Sequence, residues 1–109
     1  MAKYLVMVES DCAEAGKERE FNDWYDNIHV PDVLEQPGVV RGTRYEAALE
    51  AVSGKGKYMA LYEVETDDIQ AFHKAMLQHL EKKGAQGRIS PLQKRQVPRA
   101  FRQISSRSR

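Results

Sequence analysis

Tyr58-Met59-Ala60-Leu61-Tyr62-Glu63-Val64 holds a single charged side chain among aromatic and aliphatic ones. A run of this length and composition reads as a β-strand, here over 58–65. Successive side chains of a strand point to opposite sides, so Met59 and Leu61 oppose Tyr58, Ala60, Tyr62 and Val64. Residues 3–9 read as a second such strand, with Leu5 and Met7 opposed to Tyr4, Val6 and Val8. An antiparallel sheet covered on one side should alternate apolar with polar residues. These strands are apolar on both sides.

Working outward, Val52-Ser53-Gly54-Lys55-Gly56-Lys57 is a hairpin connection, preceded by a strand over 39–48 that follows the Pro37-Gly38 turn. Downstream, Thr66 is the expected N-cap of a helix with Asp67 and Asp68 in its first turn. That helix carries Ile69, Phe72, Met76 and Leu80 on one face and stops near Gly84. A loop over 84–98 then leads to a last strand around 99–105. An earlier helix over 15–29 has the stripe Phe21, Trp24, Tyr25 and Ile28. Pro31 has no N–H for the carbonyl of Asn27, so this helix is expected to break or restart there.

The order β-α-β-β-α-β predicts an α+β fold, a ferredoxin-like antiparallel sheet with both helices on one face. Two helices cover one face only. A second copy of the sheet is the economical cover for the other, so a homodimer formed sheet against sheet is expected, a dimeric α+β barrel. One domain is expected over 1–105, with 106–109 a frayed basic tail.

The 109 residues, 41% hydrophobic and 30% charged, leave room for one domain with a thin core. No run of about 18 apolar residues is present, which excludes a helical membrane span. The N-terminus has no signal-peptide pattern and Cys12 is the only cysteine, so a cytoplasmic setting without disulfides is expected. The net charge of +1 conceals an asymmetry: residues 1–81 hold 16 acids and 8 bases, residues 82–109 hold 9 bases and no acid. Without a nucleic-acid motif or aromatic interleaving beyond Phe101, this basic segment is expected to meet the acidic remainder of its own chain or of a second subunit.

Chemistry concentrates in Trp24-Tyr25-Asp26-Asn27-Ile28-His29-Val30-Pro31-Asp32. His29 lies one helical turn after Tyr25, and Asp32 three residues further on would support its charged form. Such a pair at a helix end beside aromatic walls could transfer protons; the structural alternative is a turn-capping histidine and a first-turn acid. His73 falls among the inward residues of the later helix, where an imidazole needs a partner or a cavity, while His79 reads as solvated. No three side chains have metal-ligand spacing, and no phosphate loop or nucleophile elbow occurs, so neither a metal nor a cofactor is expected. Arg44 and Tyr45 lie on opposite sides of their strand, and the pattern leaves open which one faces the helices. The same holds for Tyr62 and Glu63.

The run from Phe21 to Asp32, followed by Pro37-Gly38-Val39 and Arg44-Tyr45, resembles the EthD-like branch of the dimeric α+β barrel superfamily. The likeness is strongest over residues 20–46. It implies a pocket between helices and sheet in each protomer, with His29 at the histidine position and Asp32 at the acidic one. Relatives include cofactor-independent monooxygenases, polyketide cyclases, lactone isomerases, aryl-substrate lyases and haem-degrading enzymes. The last group uses an asparagine on the first strand and a tryptophan on a later one; this chain has neither.

The expected function is thus a cofactor-independent enzyme of the lyase, isomerase or cyclase kind, acting by acid–base catalysis on a hydrophobic aromatic, phenolic or polyketide-like molecule. The expected catalytic residues are His29, Asp32 and His73, and the expected substrate-binding residues are Trp24, Tyr25, Arg44, Tyr45 and Tyr62. The alternatives are a cofactorless monooxygenase and a non-catalytic ligand-binding dimer.

Overall fold

In the computed structural model, which describes all 109 residues, the two-sided strands lie at the centre of the sheet. Strand β1 (Ala2–Cys12) pairs antiparallel with β3 (Tyr58–Thr66), and β3 pairs with β2 (Val39–Glu46). The other edge of β1 carries two short antiparallel strands, β4 (Gln93–Arg95) against Ser10–Cys12 and β5 (Arg99–Arg102) against Tyr4–Met7. Together they occupy the place of one closing strand, interrupted where Pro98 cannot donate to the ladder. The sequence-based loop over 84–98 is therefore partly strand, and the closing strand ends at Arg102 instead of 105.

Helices cover one face of this α+β sheet. The first helical segment runs as α1 (Glu18–Trp24), a π-helical turn (Tyr25–His29) and α2 (Val30–Leu34). Of the expected break or restart at Pro31, the restart is found: α2 begins at Val30, directly after the π turn. In the π turn the Val30 N–H donates to the Tyr25 carbonyl, five residues back, and Pro31 falls in the first turn of α2, where a missing N–H costs nothing. Helix α3 (Ile69–Ala85) is capped by Asp68 rather than Thr66: the Asp68 carboxylate accepts from the N–H groups of Gln70 and Ala71. Thr66 instead braces Asp68 through its hydroxyl.

Register decides which side chains face the helices. Tyr58, Ala60, Tyr62 and Val64 of β3 and Val8 and Ser10 of β1 are buried beneath them, together with Phe21, Tyr25 and Phe72. In β2 the register shifts between Val39 and Arg41, so the alternation inverts: Val39 lies opposite Val64, yet Gly42 and Arg44 lie opposite Tyr62 and Ala60. Arg44 therefore points toward the helices and Tyr45, 48% exposed, points away. The uncovered face carries Leu5, Met7, Tyr45, Met59, Leu61 and Phe101, interspersed with charged residues. The molecule is only 21 Å thick along its short axis, one sheet and one helix layer.

Gly42 sits where helix and sheet approach closely. A Cβ there would lie 2.9 Å from Val30 Cγ1 and 3.0 Å from the Tyr62 ring. Gly42→Ala is expected to cost about 1–3 kcal/mol through overpacking, read as a lower midpoint in denaturant unfolding at unchanged slope.

Candidate functional site

Helix α3 lines one side of a cavity and the sheet lines the other. Val6, Val8, Tyr62 and Val64 form the sheet wall; Ile69, Phe72, His73, Met76 and Leu80 form the α3 wall. His29 and Val33 come from the first helical segment, Arg95 and Ala100 from the closing strands, and Pro98 from the link between those strands. The volume is about 340 Å³. Small-molecule pockets span about 300–1,000 Å³, so this one suits a compact ligand of one or two rings.

The π turn sets His29 over this space. The residue is 5% exposed; its ring stacks on Trp24, centroids 4.8 Å apart with 23° between planes, while Tyr25 meets it edge-on at 5.0 Å. Nδ1 is buried and has no hydrogen-bond partner. Burial, then the positive charge of Arg95, hold the imidazole pKa down to about 4; Asp32 opposes them, and Arg44 adds a lesser downward push. His29 is neutral at neutral pH. Tyr62, on the sheet wall, also has a buried hydroxyl without a partner. Burial pushes its pKa far above the usual phenol value, so it too stays neutral.

Asp32 is buried beside His29 but binds elsewhere. Its two oxygens accept from Arg88 Nε at 2.7 Å and Nη2 at 2.9 Å, and this guanidinium holds the carboxyl below the usual range. The Asp32 backbone carbonyl contacts His79 Nε2 at 2.7 Å, so His79 is not simply solvated. The Trp24 indole N–H donates to the Arg88 carbonyl at 2.9 Å, tying the segment after α3 across the aromatic shelf under His29.

Of the other expected site residues, His73 lines the cavity from an exposed position on α3. Trp24 and Tyr25 support the His29 ring. The Tyr25 hydroxyl accepts a long 3.4 Å contact from Gln93 Nε2, and burial raises its pKa. Arg44 does not line the cavity: its guanidinium lies 4.3 Å from the Tyr25 ring centroid and pairs with Asp26 at 3.0 Å. Tyr45 sits on the opposite face of the sheet. The structure thus brings His29, Tyr62 and His73 to one cavity, keeps Asp32 close but engaged, and leaves Arg44 and Tyr45 outside. Arg88 and Arg95 were not singled out from sequence; the excess of bases after residue 81 was their only signal. Part of that segment does meet the acidic remainder of the chain, through Arg88 with Asp32 and Lys83 with Glu35.

No curated protein matches the chain. Solved structures do. HapK from Hahella chejuensis superposes with a TM-score of 0.70 over 97% of both chains at 17% identity. A substituted MhuD with two manganese protoporphyrin IX molecules per active site gives 0.66 over 96% of this chain and 98% of its own, at 16% identity. An EthD family protein from Bacillus halodurans gives 0.55 over 95% and 100%, at 15% identity. At such identities the likeness speaks for fold, and the fold is that of the ferredoxin-like dimeric α+β barrel proteins, as the EthD-like resemblance implied. No helix is long and apolar enough to cross a membrane. Residues 3–87, from the first strand to the end of α3, match the family model described as "Domain of unknown function (DUF4286)", and the chain belongs to that family.

Proposed function

We propose that the chain is a small-molecule enzyme working without a cofactor, of the lyase, isomerase or cyclase kind, on an aromatic, phenolic or polyketide-like substrate. One observation carries this reading: His29 and Tyr62, both neutral and each with a buried polar atom that has no hydrogen-bond partner, line a largely apolar cavity whose other polar residues are Gln70, His73 and Arg95. Buried polar atoms are normally paired, and an unpaired one on a side chain that lines a cavity suits a ligand's hydroxyl or carbonyl once that side chain turns to meet it. The substrate's ring body packs against Val8, Val64, Phe72 and Met76. His29 takes a proton from a phenol oxygen or from carbon beside a carbonyl, leaving the electron pair on the substrate to drive C–C cleavage or rearrangement. The Tyr62 hydroxyl donates to the substrate oxygen as charge develops there. The nearby Asp32 carboxylate favours the transient imidazolium, which then returns its proton to the product.

The reading includes a homodimer through the uncovered sheet face and a cytoplasmic setting. A cofactorless monooxygenase shares the first proton transfer and differs by consuming oxygen. The metalloporphyrin bound by MhuD does not fit this cavity as it stands: the volume is near the lower bound for small ligands, and Arg95 is the one cation on its wall for two propionates.

Trp24 is the only tryptophan and touches His29, so its fluorescence reports occupancy. Saturable quenching by 1-naphthol is expected, weakened at least tenfold or so in Ala100→Phe, which fills the cavity from its edge. Product formation from a phenolic and polyketide-like panel, followed by mass spectrometry without added cofactor, would support the enzyme. Binding with no product across that panel would replace it with a carrier.

A further inference from the structure

We infer that Arg95 is the specificity residue of the cavity and that its natural ligand is an aromatic acid, a compact ring system with a carboxylate. The inference rests on the cavity being a ligand site and adds the ligand's charge. Among the sixteen lining residues there is no Asp, Glu or Lys, and Arg95 supplies the only permanent charge. Arg95 makes no ion pair and no side-chain hydrogen bond within the chain. Its neighbours in the basic segment are different: Arg88 is engaged by Asp32 and Lys83 by Glu35.

The position is also built. Arg95 is opposite Ser10 in the β1–β4 ladder, and the next residue, Gln96, donates its N–H to the Glu9 carbonyl at 2.9 Å. Ser10 is buried under the helices, so this register sends Arg95 to the cavity side of the sheet. A guanidinium carried on this ladder-held backbone beside a cavity without acids, and free of any partner in the chain, offers a carboxylate two parallel N–H donors. The depression of the His29 pKa by Arg95 agrees with its charge reaching the cavity interior. The ligand's two ends are then distinct, an anionic group at Arg95 and a neutral oxygen at His29 and Tyr62.

The test compares 1-naphthoate with 1-naphthol by Trp24 quenching in wild type, Arg95→Gln and Arg95→Lys. Wild type is expected to bind naphthoate roughly tenfold more tightly than naphthol, as for a charge-assisted hydrogen bond. Arg95→Gln should erase that preference by weakening naphthoate far more than naphthol, and Arg95→Lys should restore part of it. Equal wild-type affinities, a preference that survives Arg95→Gln, or an equal loss for both ligands would each overturn the assignment. If naphthol binds and naphthoate shows no advantage, only Arg95's role fails. If neither ligand binds, the cavity reading itself falls. Arg95 is exposed, so these variants leave the core intact.

Discussion

Replacing His29 by alanine is expected to lower kcat/KM by roughly 10²–10⁴, the range for loss of a positioned general base. His29 is the one titratable group that is neutral, shielded from bulk water and on the cavity wall with a free ring nitrogen. The ring also fills space against Trp24 and Tyr25, so alanine removes packing as well as a base. His29→Gln separates the effects, because it keeps a polar group of similar size without useful basicity. Both variants should lose turnover, and His29→Gln should keep naphthol binding within a few-fold. The wild-type rate should stay flat down the pH scale until near 4, since that is where the imidazole takes up its proton. A rate that survives both substitutions, or an acid limb centred near the ordinary histidine value of about 6.5, would remove His29 from the chemistry.

The site's supports were only partly visible in the sequence, for physical reasons. Strand and helix periods expose the core: Tyr58, Ala60, Tyr62 and Val64 alternate, and Phe72, Met76 and Leu80 recur at helical spacing. The π turn that aims His29 leaves no periodic signature, because one extra residue per turn over five residues is lost in the 3.6-residue stripe. The orientation of Arg44 depends on a register shift near Val40, a local irregularity that inverts the alternation read from either end of β2. Strand β4 is three polar residues, Gln93-Lys94-Arg95, and exists through its ladder to β1 rather than through its own propensity. The bond from Arg88 to Asp32 crosses 56 positions, and no local pattern encodes a contact of that range. Hence His29 stood out in the sequence, Tyr62 was offered with its orientation open, and Arg88 and Arg95 blended into a basic tail.

Acidification from pH 6.5 to 4 is expected to remove about 3 kcal/mol of stability through His29 alone. The sign follows from the direction of the shift. In the unfolded chain His29 titrates near 6.5; in the folded chain burial, Arg95 and Arg44 hold it at about 4. Between those values the unfolded state binds a proton that the folded state refuses, so falling pH favours unfolding. The stabilisation is fully present above 6.5 and is lost as pH drops toward 4, at about 1.4 kcal/mol per unit. Below that range Asp32 adds its own loss, because Arg88 holds its carboxyl under the ordinary value and protonation would break the bidentate pair. His29→Gln should therefore start less stable or equal at pH 7, yet flatten the slope of unfolding free energy between 6.5 and 4. The measurement is urea unfolding followed by circular dichroism at half-unit steps of pH. An unchanged slope in His29→Gln would mean that the ring is solvated or already paired in the folded state. It would also show that the cavity lacks the dry, positively biased wall on which both the proton transfer and the choice of an acidic ligand depend.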